Sequence, residues 1–179
     1  MAKLTVSLAG VDYDRTRAIF DGTYEYIGLL APDGTLLEAN RASLAFAGNT
    51  REDVAGHPFW ETPWFTSTPG APELVRQATM RAAAGEFVRH ELRIARPSGE
   101  ELIFDISFHP LRNEQGEVVL IVPEGRNITT LKHAEAALRE SEARFRILAD
   151  TVPQVIWTND AAGRANYFNE RWYDYSGLS

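Results

Sequence analysis

The sequence predicts an α+β domain followed by a long helix, and three observations carry the prediction. Two short strand patterns, Tyr26 to Leu30 and Thr35 to Ala39, flank a Pro32-Asp33-Gly34 turn. Three longer strand patterns, 86–95, 101–111 and 117–126, follow a stretch of helical segments. After Ile128 the apolar spacing changes from two to alternating threes and fours.

Each element has a local reason. Residues 1–12 form an N-terminal extension, and Asp12 suits the N-cap of a short helix ending near Phe20. Short helical pieces run through Phe65, Thr66 to Ala71 is a loop, and Pro72 sits well as the first residue of a helix reaching about Ala84. In the next strand Val88, His90, Leu92 and Ile94 share a face. In the one after it, Leu102, Phe104, Ile106 and Phe108 oppose Ile103, Asp105, Ser107 and His109. The loops Pro97-Ser98-Gly99 and Asn113-Glu114-Gln115-Gly116 are short enough for an antiparallel meander. From Ile128 to about Leu148 the residues Leu131, Ala134, Leu138, Ser141, Phe145 and Leu148 make a coiled-coil seam, with Glu135/Arg139, Glu140/Arg144 and Glu142/Arg146 as acid-first i,i+4 pairs.

Composition narrows the function. The chain has 179 residues, room for one ordinary domain and a remainder. It contains no cysteine, which excludes disulfides, thiolate metal sites and every cysteine-attached chromophore. A net charge of -7 with dispersed basic residues argues against nucleic acid and anionic lipid as partners. No apolar run approaches the ~20 residues that span a bilayer, and no secretory signal pattern opens the chain, so the expected location is cytoplasmic.

The chain also repeats itself. Residues 17–50 align without gaps onto 146–179 at an offset of 129, with Arg17, Asp21, Ile27, Gly34, Asn40 and Gly48 recurring as Arg146, Asp150, Ile156, Gly163, Asn169 and Gly177. Both copies show a helix end, a strand, a Gly turn, a strand and a short helix. The second copy stops after a hairpin, about Gln154 to Phe168, and one helix.

Taken together, DGTLLEAN, the helix ending AAAGEF, the meander beginning VRHELRIARPSGEEL and the segment EGRNITTLKHAEAALRESEARFRIL resemble a PAS domain with its signalling helix. The tail from RFRILADTVPQVIW onward resembles the start of a second PAS domain, as in multi-PAS bacterial sensor histidine kinases. The resemblance implies a five-stranded antiparallel sheet with a cluster of short helices on one face. It divides the chain into a PAS domain at 13–127, a linker helix at 128–148 and a truncated second PAS domain at 149–179. It also implies a sensory and dimerisation module without catalytic motifs of its own, acting as a parallel homodimer and passing a small-molecule or partner signal to a C-terminal effector domain. The family usually has aspartate where this chain has Asn127, whose amide can still cap the helix but without a charge-assisted bond.

The expected ligand pocket is formed by Leu30, Phe46, Trp60, Trp64, Phe65, Val88, His90, Leu92, Phe104, Ile106 and Leu120. The signal joint is Asn127, Ile128 and Thr129, and the dimer seam is Leu131, Ala134, Leu138, Phe145 and Leu148. Haem-binding members take their axial histidine from the helix before the meander, and residues 72–84 contain none, which argues against haem. The aromatic cluster of Phe59, Trp60, Trp64 and Phe65 leaves room for a non-covalently held flavin, or fills the interior itself. Two alternatives stand beside the sensor: a ligand-free structural spacer in a dimer and, ranked last, a fragment with a phosphoacceptor at His133.

Overall fold

Residues 13–96 and 99–178 are described by the structure, a computed structural model; the expected cap at Asp12 and the turn residues Pro97 and Ser98 lie outside them. The chain divides into two units, residues 1–129 and 130–179.

In the first unit, α1 (Tyr13–Gly22) leads to β1 (Tyr26–Leu30) and β2 (Leu36–Ala39). A helical layer follows, with α2 (Arg41–Ala47), α3 (Arg51–Val54), a single 3-10 turn (Phe59–Glu61), α4 (Pro63–Thr66) and α5 (Ala71–Ala83). The meander β3 (Val88–Ala95), β4 (Glu101–Arg112) and β5 (Val118–Asn127) completes one antiparallel sheet in the order β2-β1-β5-β4-β3. The first and last strands in sequence are thus neighbours, with Tyr26 opposite Gly125 and Ile27 opposite Glu124.

Turn and cap chemistry set these boundaries. The β1–β2 turn closes because Gly34 takes φ +88° and the Thr35 N–H donates to Asp33 Oδ1 at 2.9 Å. Thr50 and Asp53 form a capping box at α3, the Thr50 N–H reaching Asp53 Oδ2 at 2.7 Å. Along α5 the buried residues are Ala71, Val75, Ala78, Thr79 and Ala82, a stripe of mostly small side chains that lets the helix lie close to its neighbours.

Asn40 ties the helix, hairpin and layer together. Its backbone N–H donates to the Ile27 carbonyl, and its Oδ1 accepts the Ile27 N–H at 3.2 Å and the Ser43 N–H at 3.0 Å. Its Nδ2 donates to the carbonyls of Phe20 and Glu25 at 3.2 and 2.8 Å, while the Arg41 N–H donates to Asp21 Oδ1 at 3.1 Å. Asn40 is completely buried and its amide is satisfied on both sides.

The register confirms that Leu102, Phe104, Ile106 and Phe108 face the core. Two expectations are corrected. Leu120 does not face inward: Gly125 lies opposite Ile106 and Pro123 opposite Phe108, so the odd-numbered residues of β5 share the core face, and Leu120 pairs with Leu111 on the other. His90 lies opposite Ile106 on the core side of β3 but is exposed, because β3 is an edge strand and burial there is confined to Val88 and Ile94.

The second unit contains α6, which begins at Thr129 in the first unit and runs to Thr151, then β6 (Trp157–Asn159), β7 (Ala165–Phe168) and α7 (Glu170–Ser176). The helix continues three residues beyond the seam, the Thr151 hydroxyl donating to the Ile147 carbonyl at 2.7 Å. Gly163 at φ +80° closes the hairpin, and Gly177 at φ +67° ends α7. Buried Asn169 donates from Nδ2 to the carbonyls of Ala149 and Gln154 at 2.8 and 2.9 Å and accepts the Ile156 N–H at 2.9 Å.

Candidate functional site

Between the sheet and the helical layer of the first unit lies a cavity of about 60 Å³. Its sheet wall comprises Tyr26, Ile27 and Gly28 of β1, Ala39 of β2, Ile94 of β3, Phe104 and Ile106 of β4, and Pro123, Glu124 and Gly125 of β5. The opposite wall comprises Ser43 and Phe46 of α2, Phe59 of the 3-10 turn, and Trp64 and Phe65 of α4. Gly28 allows a close approach in this wall: a Cβ there would lie 3.1 Å from Pro123 Cγ and 3.4 Å from Leu36 Cδ1.

Aromatic rings set the shape. Tyr26, Phe46 and Phe104 form a triangle with centroids 5.3 to 5.4 Å apart, each pair edge to face. Phe59 meets Phe65 at 5.0 Å and Trp64 at 5.9 Å in the same manner. The Arg96 guanidinium lies 4.7 Å from the Phe46 ring centroid, a cation–π contact with a ring of that wall. Trp64 is 7% exposed, and its indole Nε1 is buried without an acceptor. An orphaned buried donor costs roughly 1–3 kcal/mol, so this N–H is a point of unmet bonding in a packed interior.

The structure places the expected residues unevenly. Phe46, Trp64, Phe65, Phe104 and Ile106 line the cavity. Leu30 and Val88 are buried in the core outside it, Leu92 packs at its margin, and Trp60 lies over the β1–β2 turn, where a Cβ on Gly34 would sit 2.4 Å from its ring. Sequence reading missed Tyr26, Gly28, Pro123 and Gly125, which become neighbours only when β1 pairs with β5. The lining carries few polar side chains, a poor match to the several donors and acceptors on a flavin's polar edge. Among the described residues, no group of three His, Asp or Glu side chains is arranged to hold a metal ion.

At the far end of β5 the joint is well defined. The Thr129 N–H donates to Asn127 Oδ1 at 3.0 Å, so Asn127 caps the start of α6. The Ile128 N–H donates to the Ile103 carbonyl at 2.8 Å, and the Ile103 N–H donates to Thr129 Oγ1 at 2.8 Å. Both backbone groups of Ile103, the residue before Phe104 of the cavity wall, are therefore held by Ile128 and by Thr129, the first residue of α6. The seam residues Leu131, Ala134, Leu138, Phe145 and Leu148 are exposed, as is His133.

On the outer face of the sheet, Arg89 pairs with Asp105, Arg126 Nε lies 3.8 Å from Glu25 Oε1, and His109 Nε2 lies 4.0 Å from Glu124 Oε2. The Glu25 carboxyl beside Glu124, with partial burial and Asp105, pushes the Glu124 carboxyl above its ordinary value.

One antiparallel sheet, a helical cover with a cavity beneath it and a helix leaving the last strand define a class of single-sheet α+β domains. Residues 20–133 match the PAS fold family, and the chain belongs to it. It is 43% identical over 124 residues to the sensor histidine kinase TmoS of Ectopseudomonas mendocina, covering 68% of this chain and 13% of the relative. It is 35% identical over 141 residues to the hybrid signal transduction histidine kinase D of Dictyostelium discoideum, covering 78% and 9%. The PAS domain of Bordetella pertussis BvgS superposes with a TM-score of 0.56 at 22% identity over 72% of this chain and 96% of that one. The PAS domain is thus homologous to those of sensor histidine kinases, and the chain spans about a tenth of the length of these relatives. Among the described residues, no helix is long and apolar enough to cross a membrane.

Proposed function

We propose that the first unit is a small-molecule sensor in a cytoplasmic signalling protein of the sensor histidine kinase type. A ligand in the cavity shifts the balance between two arrangements of β4 and β5, and the joint at Asn127, Ile128 and Thr129 carries the shift into α6. The observation that supports this above others is the pair of bonds clamping Ile103 to Ile128 and Thr129, one residue from the cavity-lining Phe104. The exposed apolar seam of α6 supports a parallel homodimer delivering the change to an effector domain.

Residues 149–179 are read as the beginning of a second PAS domain. What supports this is the recurrence around Asn169, at the 129-residue offset, of the hydrogen bonds around Asn40. Native mass spectrometry of freshly purified protein tests the sensor: a bound small molecule on a dimer is expected. An empty interior that no added compound occupies would leave the domain a structural spacer.

A further inference from the structure

We propose that β3 is an interaction surface for a second copy of this chain: two β3 edges pair antiparallel about a two-fold axis at His90, joining two five-stranded sheets into one. The contact goes beyond the sensor reading, and its paired residues belong neither to the cavity lining nor to the joint or the α6 seam.

The sheet has two edges, and the chain itself closes one of them. Along β2 the Leu36 N–H donates to the His57 carbonyl, the Leu36 carbonyl accepts the Gly56 N–H, and Thr35 bridges to Pro58. On the opposite side β3 is the last strand, with β4 as its ladder partner. One end of β3 is held from the helical layer, where the Ala95 N–H donates to Thr68 Oγ1 at 2.8 Å. The next amide, that of Arg96, turns back toward β4 and donates to the Glu100 carbonyl. Backbone direction alternates along a strand, so the groups of Arg89, Glu91 and Arg93 turn the same way as the Ala95 N–H, away from β4. An added strand meets those groups.

Side chains select the register. Odd-numbered residues must face odd-numbered residues for their outward groups to bond, which leaves two-fold axes at Arg89, His90, Glu91 or Leu92. An axis at Glu91 sets Glu91 against itself and Arg89 against Arg93, and an axis at Arg89 sets two guanidiniums together. An axis at Leu92 brings Arg89 opposite Ala95, whose amide Thr68 already holds. The axis at His90 sets Arg89 of each chain opposite Glu91 of the other, with Phe87 opposite Arg93 outside them. Arg89, His90, Glu91 and Arg93 are all exposed, and Arg89, which pairs with Asp105 in its own chain, would lie between two carboxylates. Charges on an edge strand ordinarily discourage pairing. Here their signs alternate, so they discourage the other registers and admit this one.

The test uses the 179-residue chain, which has no cysteine of its own, so a single introduced thiol reports the contact. Leu138→Asp is carried throughout to keep the α6 seam from supplying the association. Residues that face each other in a non-hydrogen-bonded pair have Cα atoms about 4.5 Å apart, within disulfide reach, whereas two copies of Glu91 would be out of step under the His90 axis. Mild oxidation should therefore link chains through His90→Cys about tenfold faster than through Glu91→Cys. Adding Glu91→Arg to the His90→Cys chain should slow the link about fivefold, and so should adding Arg89→Glu, because each sets like charges opposite one another twice. Mixing those two variants should restore the rate, since arginine then meets glutamate at both places. Should Arg89→Glu fold poorly by circular dichroism, Glu91→Arg alone decides. Equal rates through His90→Cys and Glu91→Cys, or a link indifferent to Glu91→Arg, overturns the paired edge, and a faster link through Glu91→Cys overturns the axis at His90.

Discussion

Asn40 and Asn169, 129 residues apart, hold equivalent sets of backbone partners at that same spacing. Ile27 corresponds to Ile156, Phe20 to Ala149, Glu25 to Gln154, and the Arg41–Asp21 bond to the Glu170–Asp150 bond. A side-chain amide is suited to this position because one end donates while the other accepts, so it can join a helix end, a strand entry and a strand exit at once. The copies differ where their neighbours do. Ser43 lets Asn40 cap α2 as well, while at the matching Trp172 the N–H goes to the Asn169 carbonyl.

Asn40→Ala should lower the stability of the first unit by about 2 to 4 kcal/mol, since it orphans the carbonyls of Phe20 and Glu25 and the amide of Ile27 together. Urea denaturation gives the figure. A loss under about 0.5 kcal/mol would mean that water replaces the amide without cost.

Gly34→Ala and Gly163→Ala separate steric from conformational cost. Both glycines have positive φ, yet a Cβ on Gly34 meets the Trp60 ring and one on Gly163 meets nothing within 4 Å. Alanine at 163 should cost its unit about 1 kcal/mol of left-handed strain, and alanine at 34 about 3 kcal/mol with the clash added. Thermal melts and amide exchange of the two variants measure this, and equal costs would remove the Trp60 contact from the account.

Much of this arrangement was legible in the sequence, and the failures have physical causes. The alternation of β4 gave its core face directly, because polar Asp105 and Ser107 mark the other side. No such marks exist in the run Val118 to Val122, where both faces are apolar and the β4–β5 pairing shifts between Leu111 and Arg112, so Leu120 was placed on the wrong face. For His90, periodicity gives the side of the sheet but not how far the helical layer extends over an edge strand. The cavity was visible in its large rings, Phe46, Trp64, Phe65 and Phe104. Gly28, Pro123 and Gly125 were not, since they meet only when β1 pairs with β5.

Asn127→Asp should stabilise the joint by about 0.5 kcal/mol, because a carboxylate accepting the Thr129 N–H at a helix start gains a charge-assisted bond. The gain should appear in urea midpoints near neutral pH and vanish below about pH 3, where the carboxyl is protonated. A variant less stable than the parent at neutral pH would contradict the cap geometry.

Glu124→Gln should flatten part of the pH dependence. The Glu124 carboxyl is raised above its ordinary 4.5, so the folded chain holds this proton more tightly than the unfolded one. Its contribution to stability therefore falls as pH rises from 4.5 through the raised value. Denaturation at about pH 4.5 and about pH 7.5 should show the parent losing stability relative to Glu124→Gln, the facing groups Glu25, Asp105, His109 and Arg126 being unchanged. A parallel pair of profiles would be the contrary result.

Leu138→Asp should dissociate the proposed dimer, because it sets a charge on the α6 seam at a cost of about 3 kcal/mol or more if the seam is buried between two chains. Sedimentation at micromolar concentration should give a lower mass for the variant. The same mass for both would remove the seam as the interface.

The clamp on Ile103 makes one backbone proton a gauge of the joint. Its amide hydrogen is bound to the Thr129 hydroxyl, a side chain that can turn away, whereas the neighbouring strand amides are bound to other backbone. Its solvent exchange rate and nitrogen-proton resonance thus register the separation of helix start from sheet, at the residue preceding Phe104. Filling of the cavity and release of the helix can be followed at adjacent positions in a single spectrum, and their order in time becomes an observable.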